Sequence, residues 1–547
     1  MNRIIALCFS IGLLACAVAQ ERSGAAAPSA QQTVAAGRFG EIHFPVSCNA
    51  DAQTRFDLAV AMLHSFFYPE VAKAFNRVLD VDPNCAMAYW GVAISQRPNP
   101  LVPPFPTAAL KAGLEAAQKG VDSNPKTQRE KDWLAAIQVF FKDYDTKDHL
   151  ARVASYAKAM QQVHEHYPDD TEAAVFYALA LNESADLSDK TYANQQKAAS
   201  ILERVLAEHP SHPGAIHYLI HSYDYAPMAH HAIDAANKYA AIAPAAPHAL
   251  HMPAHIYSMM GMWEDSVKTN QASLDCAREY AAKNFQGAAH PTEPHLLDFM
   301  EYAYLQLGKD DQARKLVEQA ASIEKFPTTP MGVDTGMAAV PARFALERGA
   351  WAEAASLALR PTTYGYAEAI TRFARAIGSA KTGNLVAARS ELDKMLAIQK
   401  AYAGKSDSLY WEAQTEVLTK AASGWIARAE GRNEDAVNLL RTAANLEDSS
   451  EKHVVMENRL FPVREQLGYL LLELGRPQEA LFEFEKSLVA TPKRLRGLYG
   501  AGKAAELLGE TDKGRAHFRD LVEQTRNAEV DRDEIREARK VLVKPER

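Results

Sequence analysis

The chain has 547 residues, 48% of them apolar, with a formal net charge of −8 and a pI near 6.2. It is long enough to bury a large core, and its acidic balance offers no basic stripe for nucleic acid. The sequence has no Walker A loop, no G-x-S-x-G, no H-E-x-x-H and no paired C-x-x-C, which leaves nucleotide, hydrolase and zincin chemistry without support.

The chain begins with a predicted signal peptide, residues 1–19. A short positive segment is followed by an apolar run that is too short to span a bilayer comfortably. Two kinds of processing fit the next residues: ordinary cleavage after Ala19, or lipidation of Cys16 in the lipobox-like stretch Leu-Leu-Ala-Cys. Both predict export, either to the periplasm or to an outer membrane through a lipid anchor at Cys16. Residues 20–40 are rich in Ala, Ser and Gln, which predicts a flexible tether.

Export determines how the remaining cysteines are interpreted, because an oxidising compartment permits a disulfide. Cys48 precedes the first helical repeat, and Cys85 follows Asp82-Pro83 at the junction with the second. We predict a Cys48–Cys85 bridge that holds the N-terminal segment against the repeats, with two buried free thiols as the alternative. Cys276 lies in a helical stretch and is interpreted as a small buried apolar residue.

Helical hairpins punctuated by proline are predicted for the rest of the chain. Gly468 and Phe484 sit at the offsets of the tetratricopeptide repeat, a helix–turn–helix unit of 34 residues. Adding that period to each gives Gly502 and Phe518. Glycine suits the points where the two helices of a unit approach closely, and the aromatic rings fill the space between units.

This pattern predicts an all-α, right-handed superhelical solenoid, with an N-terminal part at residues 41–325 and a C-terminal part at residues 326–547. Four segments also give the chain a likeness to a known group: IHFPVSC at 42–48, DPNCAMAYWG at 82–91, HYLIH at 217–221 and HALHMPAH at 248–255. They resemble segments of exported bacterial tetratricopeptide-repeat proteins, and the likeness covers most of the mature chain. The resemblance implies the solenoid fold, and it implies no particular activity.

Histidine is concentrated in one region, since eleven of the 18 histidines lie between residues 209 and 295. Two pairs, His217/His221 and His251/His255, have i, i+4 spacing, and the second pair follows the first by one 34-residue period. At this spacing the Cβ atoms of a pair lie about 5–6 Å apart on one helix face. In stacked repeats these positions line the concave groove, so the four imidazoles are expected to form one surface.

Imidazole is the commonest metal ligand in proteins. Gly308 and Gly261 occupy equivalent repeat positions. Aligning the repeats on these glycines places His295 and Asp298 in the repeat that follows the second histidine pair. We therefore predict one divalent transition metal ion, which could be zinc, copper, iron or nickel, with a ligand set drawn from His217, His221, His251, His255 and either His295 or Asp298. Asp224 is a candidate for orienting an imidazole. Pro253 interrupts the second pair, so a helix begins there or is kinked.

Two functions stay open from the sequence. The first is a metal-binding exported solenoid; if it is an enzyme, an open coordination position would serve metal-dependent hydrolysis or oxidation. The second is a periplasmic scaffold without metal or catalysis, whose concave groove binds a protein or peptide through the imidazoles. The residues leave the metal, a catalytic group, the partner and the oligomeric state open.

Overall fold

The computed structural model describes residues 38–405, 408–530 and 532–543. The predicted signal peptide, the candidate lipidation site Cys16 and most of the predicted tether lie outside these ranges. Within them, all regular structure is helical and there is no strand. The predicted all-α class is therefore confirmed. None of the helices in this part of the chain has a stretch long and apolar enough to cross a membrane.

The N-terminal part contains fifteen α-helices among the described residues. In chain order, α1 to α8 are Ala50–His64, Tyr68–Leu79, Ala86–Ile94, Thr107–Asp122, Gln128–Phe141, His149–His166, Thr171–Glu183 and Ala193–Glu208. Helices α9 to α15 are Pro213–Tyr223, Ile233–Ile242, Pro247–His251, Pro253–Met259, Trp263–Asn284, Glu293–Gln306 and Asp310–Ser322. A short 3-10 helix, Ala229–Ala232, precedes α10.

The C-terminal part continues with helices of similar length. Helices α16 to α21 are Met331–Glu347, Trp351–Ala355, Gly365–Lys381, Leu385–Tyr402, Leu409–Ala429 and Asn433–Asp448. Helices α22 to α26 are Val463–Glu473, Pro477–Ala490, Leu495–Leu507, Thr511–Gln524 and Asp533–Val543. Nearly every helix packs against the next one in sequence, and many also contact the next but one, as stacked hairpins do.

Close approach between the two helices of a hairpin explains the glycines of the repeat pattern. A Cβ atom at Gly468 would lie 2.8 Å from the Phe484 ring, and one at Gly502 would lie 2.7 Å from the Phe518 ring. Both distances are too short for a real Cβ contact, so only glycine fits against these rings. The aromatic ring thereby fills the space that the missing side chain leaves.

The N-terminal segment before α1 is attached to the first repeats by a disulfide and by hydrogen bonds. Cys48 and Cys85, the pair that the sequence predicts, are joined with their Cα atoms 5.2 Å apart. The Ser47 hydroxyl donates to the buried Glu130 carboxylate at 2.6 Å. Phe44 is fully buried among aromatic rings, with the Trp133 ring centroid 4.7 Å away. This segment is therefore part of the core.

Pro253 separates two short helices. Helix α11 ends at His251, and α12 begins at Pro253 itself, where the missing N–H costs nothing. The second histidine pair is therefore divided between two helices, yet its ring centroids stay 4.8 Å apart. Of the two interpretations that the sequence left open, the structure shows a new helix beginning at the proline.

The two parts of the chain contact each other along the interior. Trp263 donates to the carbonyl of Lys493 at 3.2 Å, and Gln306 accepts from the backbone N–H of Leu495 at 2.9 Å. The connection between α21 and α22, residues 449–462, lies against α9, α12 and α14; we call it the cover segment. The Lys452 ammonium of this segment lies 2.9 Å from a carboxylate oxygen of Asp224 at the end of α9.

Candidate metal centre

Six imidazoles meet in the interior of the N-terminal part. Helices α9, α11, α12 and α14 supply them, and they divide into two groups of three that we call the first trio and the second trio. The first trio is His217, His221 and His248, and the second trio is His251, His255 and His295. In each trio one ring nitrogen from every residue lies within 4.8 Å of the others. Two members, His248 and His295, are half-buried, and the other four are buried.

The first trio contains one imidazole with a fixed tautomer and one without any partner. Nδ1 of His217 donates to the backbone carbonyl of His64 at 2.6 Å, because a carbonyl oxygen can only accept. Its Nε2 therefore carries a lone pair, which points at Nε2 of His248 at 3.1 Å. Both ring nitrogens of His221 are buried and have no hydrogen-bond partner among the described residues.

The second trio holds two fixed tautomers that face each other. Nδ1 of His255 donates to the Asp224 carboxylate at 2.8 Å. Nδ1 of His251 donates to Oδ1 of Asn270 at 2.7 Å, and the amide nitrogen of Asn270 donates to the Ser266 carbonyl, which fixes the orientation of that amide. Both Nε2 atoms consequently carry lone pairs, and they lie 3.0 Å apart. Two facing acceptors repel unless a cation lies between them.

His295 completes the second trio from α14. It has a hydrogen bond to the backbone of Val455 in the cover segment. Its Nδ1 is buried and has no partner within the described structure. Buried polar atoms without partners cost about 1–3 kcal/mol each, so folded proteins rarely keep them. A ligand at Nδ1 would remove that cost.

A proton is a poor candidate for the cation, because burial opposes charge on these rings. Desolvation holds the pKa of His217, His221 and His255 well below its ordinary range, and it lowers the pKa of His251 to about 4. The imidazoles are therefore neutral at pH 7. A neutral imidazole with a free lone pair is the form that binds a transition metal.

The separations within the trios suit metal coordination. Nitrogen ligands at about 2.0–2.1 Å from one ion lie about 2.9–3.6 Å from each other for bond angles of 90–120°. The His217–His248 and His251–His255 nitrogen pairs, at 3.1 Å and 3.0 Å, fall within that range. Hydrogen bonds from Nδ1 to a carbonyl, an amide and a carboxylate are also the contacts that orient metal-bound histidines.

One phenylalanine ring packs against each trio. The Phe66 ring centroid is 4.5, 6.1 and 5.2 Å from the three rings of the first trio. The Phe299 ring centroid is 4.8, 4.9 and 4.9 Å from those of the second trio. Phe66 adopts φ of +50°, which is uncommon for a bulky residue and often marks a functional site. Both trios are therefore bordered by an apolar ring.

A third cluster beside the trios is closed by its own hydrogen bonds. The buried Glu172 carboxylate accepts from Nε2 of His64 at 2.8 Å and from Nε2 of His212 at 3.1 Å. The remaining nitrogen of each ring is also occupied, by the Tyr218 hydroxyl for His64 and by a helix N–H for His212. No lone pair is left for a metal. We assign this cluster the role of positioning His64, whose carbonyl orients His217.

The structure and the sequence prediction differ in the grouping of ligands. The four predicted histidines do come together, but His217 and His221 fall in one trio while His251 and His255 fall in the other. His295 joins the second trio. The predicted alternative, Asp298, instead accepts from the buried guanidinium of Arg343 at 2.9 Å, and this ion pair occupies its carboxylate.

His248 is the member of the trios that the sequence prediction did not include. Its register match with His295 was a usable signal, because both residues occupy the second position of their repeats. Asp224 does contact an imidazole, as the sequence suggested. Lys452 and Asn270 carried no such signal, since neither occupies a repeat position equivalent to that of a histidine in the trios.

No family model matches the chain, and no curated protein matches it either. Solved structures match the chain at low sequence identity and low TM-score. The human IFIT1 dimer with m7Gppp-AAAA is 12% identical, with 84% of this chain and 95% of that chain covered and a TM-score of 0.37. Naa15/Naa10 bound to HypK-THB is 12% identical, with coverages of 90% and 73% and a TM-score of 0.23. A tetratricopeptide repeat protein from Parabacteroides merdae is 9% identical, with coverages of 76% and 100% and a TM-score of 0.24.

Proposed function

We propose that this protein is a metal-binding helical-repeat protein in which each trio holds one first-row transition metal ion. The observation that carries the proposal is the facing pair of lone pairs on His251 and His255, 3.0 Å apart in a buried site. Each ring is held in the metal-binding tautomer by an acceptor on its other nitrogen. Only a cation between the two rings satisfies this arrangement, and burial disfavours a proton there.

The partnerless His221 supports the same function at the first trio. A side chain that is 5% exposed, with two nitrogens lacking partners in the described structure, gains most from a ligand. The first trio repeats the second in its composition: an i, i+4 pair from one repeat and a third ring from the next. We therefore propose two equivalent sites, where the sequence predicted one shared ion.

A groove that presents imidazoles to a peptide is less well supported. The four predicted histidines are 0–5% exposed, so a partner could not reach them in this structure. The cover segment, residues 449–462, contacts Asp224 at the end of α9 and His295 of α14. A scaffold function would have to use another surface.

The experiment is metal analysis of untagged, full-length protein by inductively coupled plasma mass spectrometry. We expect about two first-row ions per native chain. The double variant His217→Ala/His251→Ala removes one ligand from each trio and should lose most of both. The control His230→Ala/His231→Ala changes two exposed histidines of the 3-10 helix and should keep both ions. Equal metal content in all three proteins would refute the proposed function and leave the scaffold alternative.

We also propose export, on the basis of the N-terminal sequence pattern. In a bacterial host the protein should appear in the periplasmic or outer-membrane fraction. Mass spectrometry of its N-terminus distinguishes an unmodified Gln20 from a lipidated Cys16. A full-length cytoplasmic product with Met1 retained would contradict export.

A further inference from the structure

We infer that the ion held by each trio is copper in its monovalent, cuprous state. This inference rests on the proposed function and specifies the metal for the same two sites. Its basis is that, among the described residues, each trio groups three imidazoles with no carboxylate or thiolate, and an aromatic ring packs against each trio.

The ligand count is the first argument. Zinc takes four ligands in structural sites, and in catalytic sites it adds water to three protein ligands. Iron and nickel take more, and carboxylate oxygens commonly contribute to iron sites. Cuprous copper is a d10 ion like zinc(II), but three nitrogens in a plane complete its coordination without an added water. The trios supply three and no more among the described residues.

The neighbours of the trios give no fourth ligand. The Asp298 carboxylate is held by Arg343, and Asp224 binds the far side of the His255 ring. The side that remains is bordered by an aromatic ring, Phe66 at the first trio and Phe299 at the second. An apolar ring neither binds a metal nor stabilises a metal-bound hydroxide by hydrogen bonding.

Charge is the second argument. The ionised side chains that contact the six imidazoles or their hydrogen-bond partners are Asp224, Glu172 and Lys452, and together they carry one net negative charge. Two monovalent ions would bring the local total to one positive charge, whereas two divalent ions would bring it to three. The solvation cost of burying an ion rises with the square of its charge, so the divalent pair is strongly disfavoured in this interior.

Lys452 reinforces that preference from the cover segment. Its ammonium is 5% exposed and lies 2.9 Å from the Asp224 carboxylate, which also accepts from His255. The negative charge of Asp224 is therefore already balanced and is not available to offset a second positive charge on the metal.

The test is a competition titration of metal-free, full-length protein under anaerobic conditions. Cuprous ion is delivered as its bicinchoninate complex, and loss of the violet complex reports transfer to the protein. We expect two cuprous ions per chain, retained against about 100-fold excess zinc(II). The variants His221→Ala and His255→Ala should each bind one, because each disables one trio, and His230→Ala/His231→Ala should bind two. Circular dichroism shows whether each variant is folded.

X-ray absorption at the copper edge supplies a measurement that does not depend on any variant. We expect a cuprous edge with three nitrogen neighbours per copper. Zinc(II) that occupies both trios and displaces cuprous ion would overturn the inference while leaving the proposed function standing. Binding of neither metal, together with no iron or nickel in the native protein, would overturn both. One copper per native chain, lost in both single variants, would overturn the assignment of one ion to each trio.

Discussion

Two regions of this molecule bury polar side chains, and they differ in whether the chain itself supplies the hydrogen-bond partners. In the C-terminal part, the guanidinium of Arg494 donates from all three nitrogens, to Glu465 at 2.7 Å, to Tyr302 at 2.8 Å and to Glu347 at 2.6 Å. In the N-terminal part, the imidazole of His221 is similarly buried, and neither of its nitrogens has a partner among the described residues.

The difference shows how a binding site can be distinguished from a structural network. The Arg494 cation is matched by anions and a hydroxyl that the chain itself supplies, so no external cation is needed, although Oε2 of Glu347 has no partner among the described residues. The two trios supply lone pairs and no cation. Buried charge pairs and buried lone pairs are both clusters of polar side chains, but only the second kind lacks a cation.

The largest expected effect comes from breaking the complete network. Arg494→Met should lower the free energy of unfolding by about 3–5 kcal/mol, because Glu347 and Glu465 would stay buried without their closest cation. Chemical denaturation measures this, and the loss should be the same with and without metal. The matched control is Arg432→Met, whose side chain is 52% exposed, so its loss should be much smaller than that of Arg494→Met. Equal losses for the two variants would show that the buried Arg494 network stabilises the fold no more than an exposed ion pair does.

The disulfide should have an effect nearly as large. Cys48 and Cys85 are 37 residues apart, and closing a loop of that size stabilises a fold by about 3–4 kcal/mol in the chain-entropy account. Cys48→Ser/Cys85→Ser should lose that amount in denaturant, and this loss should add to any loss caused by removing metal, since the two lie apart. Non-reducing peptide mapping should show the linked peptides; two alkylatable thiols in the exported protein would rule the bridge out.

Glu457 lies in the cover segment between the two regions, and it should make stability depend on pH. Burial is the main cause that raises its pKa to about 8. The folded state therefore holds a proton that the unfolded state releases near pH 4.5, so this stabilising contribution is complete below pH 4.5 and is lost as the pH rises towards 8. Glu457→Gln should remove that slope and be more stable than the native protein by several kcal/mol at pH 8.5. Parallel pH profiles for the two proteins would show that Glu457 is ionised in the fold.

Metal should stabilise the protein through the two histidine trios, and its effect should not depend on the Arg494 network. An ion at 100 times its dissociation constant adds about 2.7 kcal/mol per site to the free energy of unfolding. Thermal unfolding with and without cuprous ion measures the gain, which should vanish in His217→Ala/His251→Ala and persist in Arg494→Met. A gain of the same size in the histidine variant would place the metal elsewhere.

The smallest expected effect tests the orientation of one ring. Asp224→Asn replaces a carboxylate that accepts from His255 with an amide that holds it less firmly. Such supporting contacts are worth about 10-fold or more in metal affinity, so the second trio should weaken by about 1.4 kcal/mol while the first keeps its affinity. Competition titration resolves the two sites. Equal weakening at both would mean that the variant disturbs the whole cluster.

Local sequence pattern was enough to predict the helical hairpins and the gathering of the histidines. Gly468 and Phe484 predicted a close contact between two helices, because an aromatic ring on one helix can pack against the backbone of the other only where that helix has a glycine. His217 and His251 predicted a shared surface because the repeat period places equivalent residues side by side. Both arguments need only the spacing of residues along the chain.

Long-range contacts account for what the sequence could not predict. Asp298 looked available because it follows the histidines in register, yet Arg343 from a later repeat binds it. The partner of Asp224, Lys452, lies 228 residues away in an irregular connection that does not follow the 34-residue repeat pattern. Which lone pairs stay free depends on such partners, so the ligand set divides into trios only when the whole fold is present.

The cover segment has a consequence for the timing of metal uptake. All six imidazoles lie between residues 217 and 295, whereas the contacts of Lys452 and Val455 come from a stretch more than 150 residues later. When the chain is synthesised or exported from its N-terminus, all six imidazoles therefore reach solvent well before the cover segment, which later packs against them. An ion captured in that interval would be enclosed by the late-arriving segment, and its later escape would be limited by how often that segment opens.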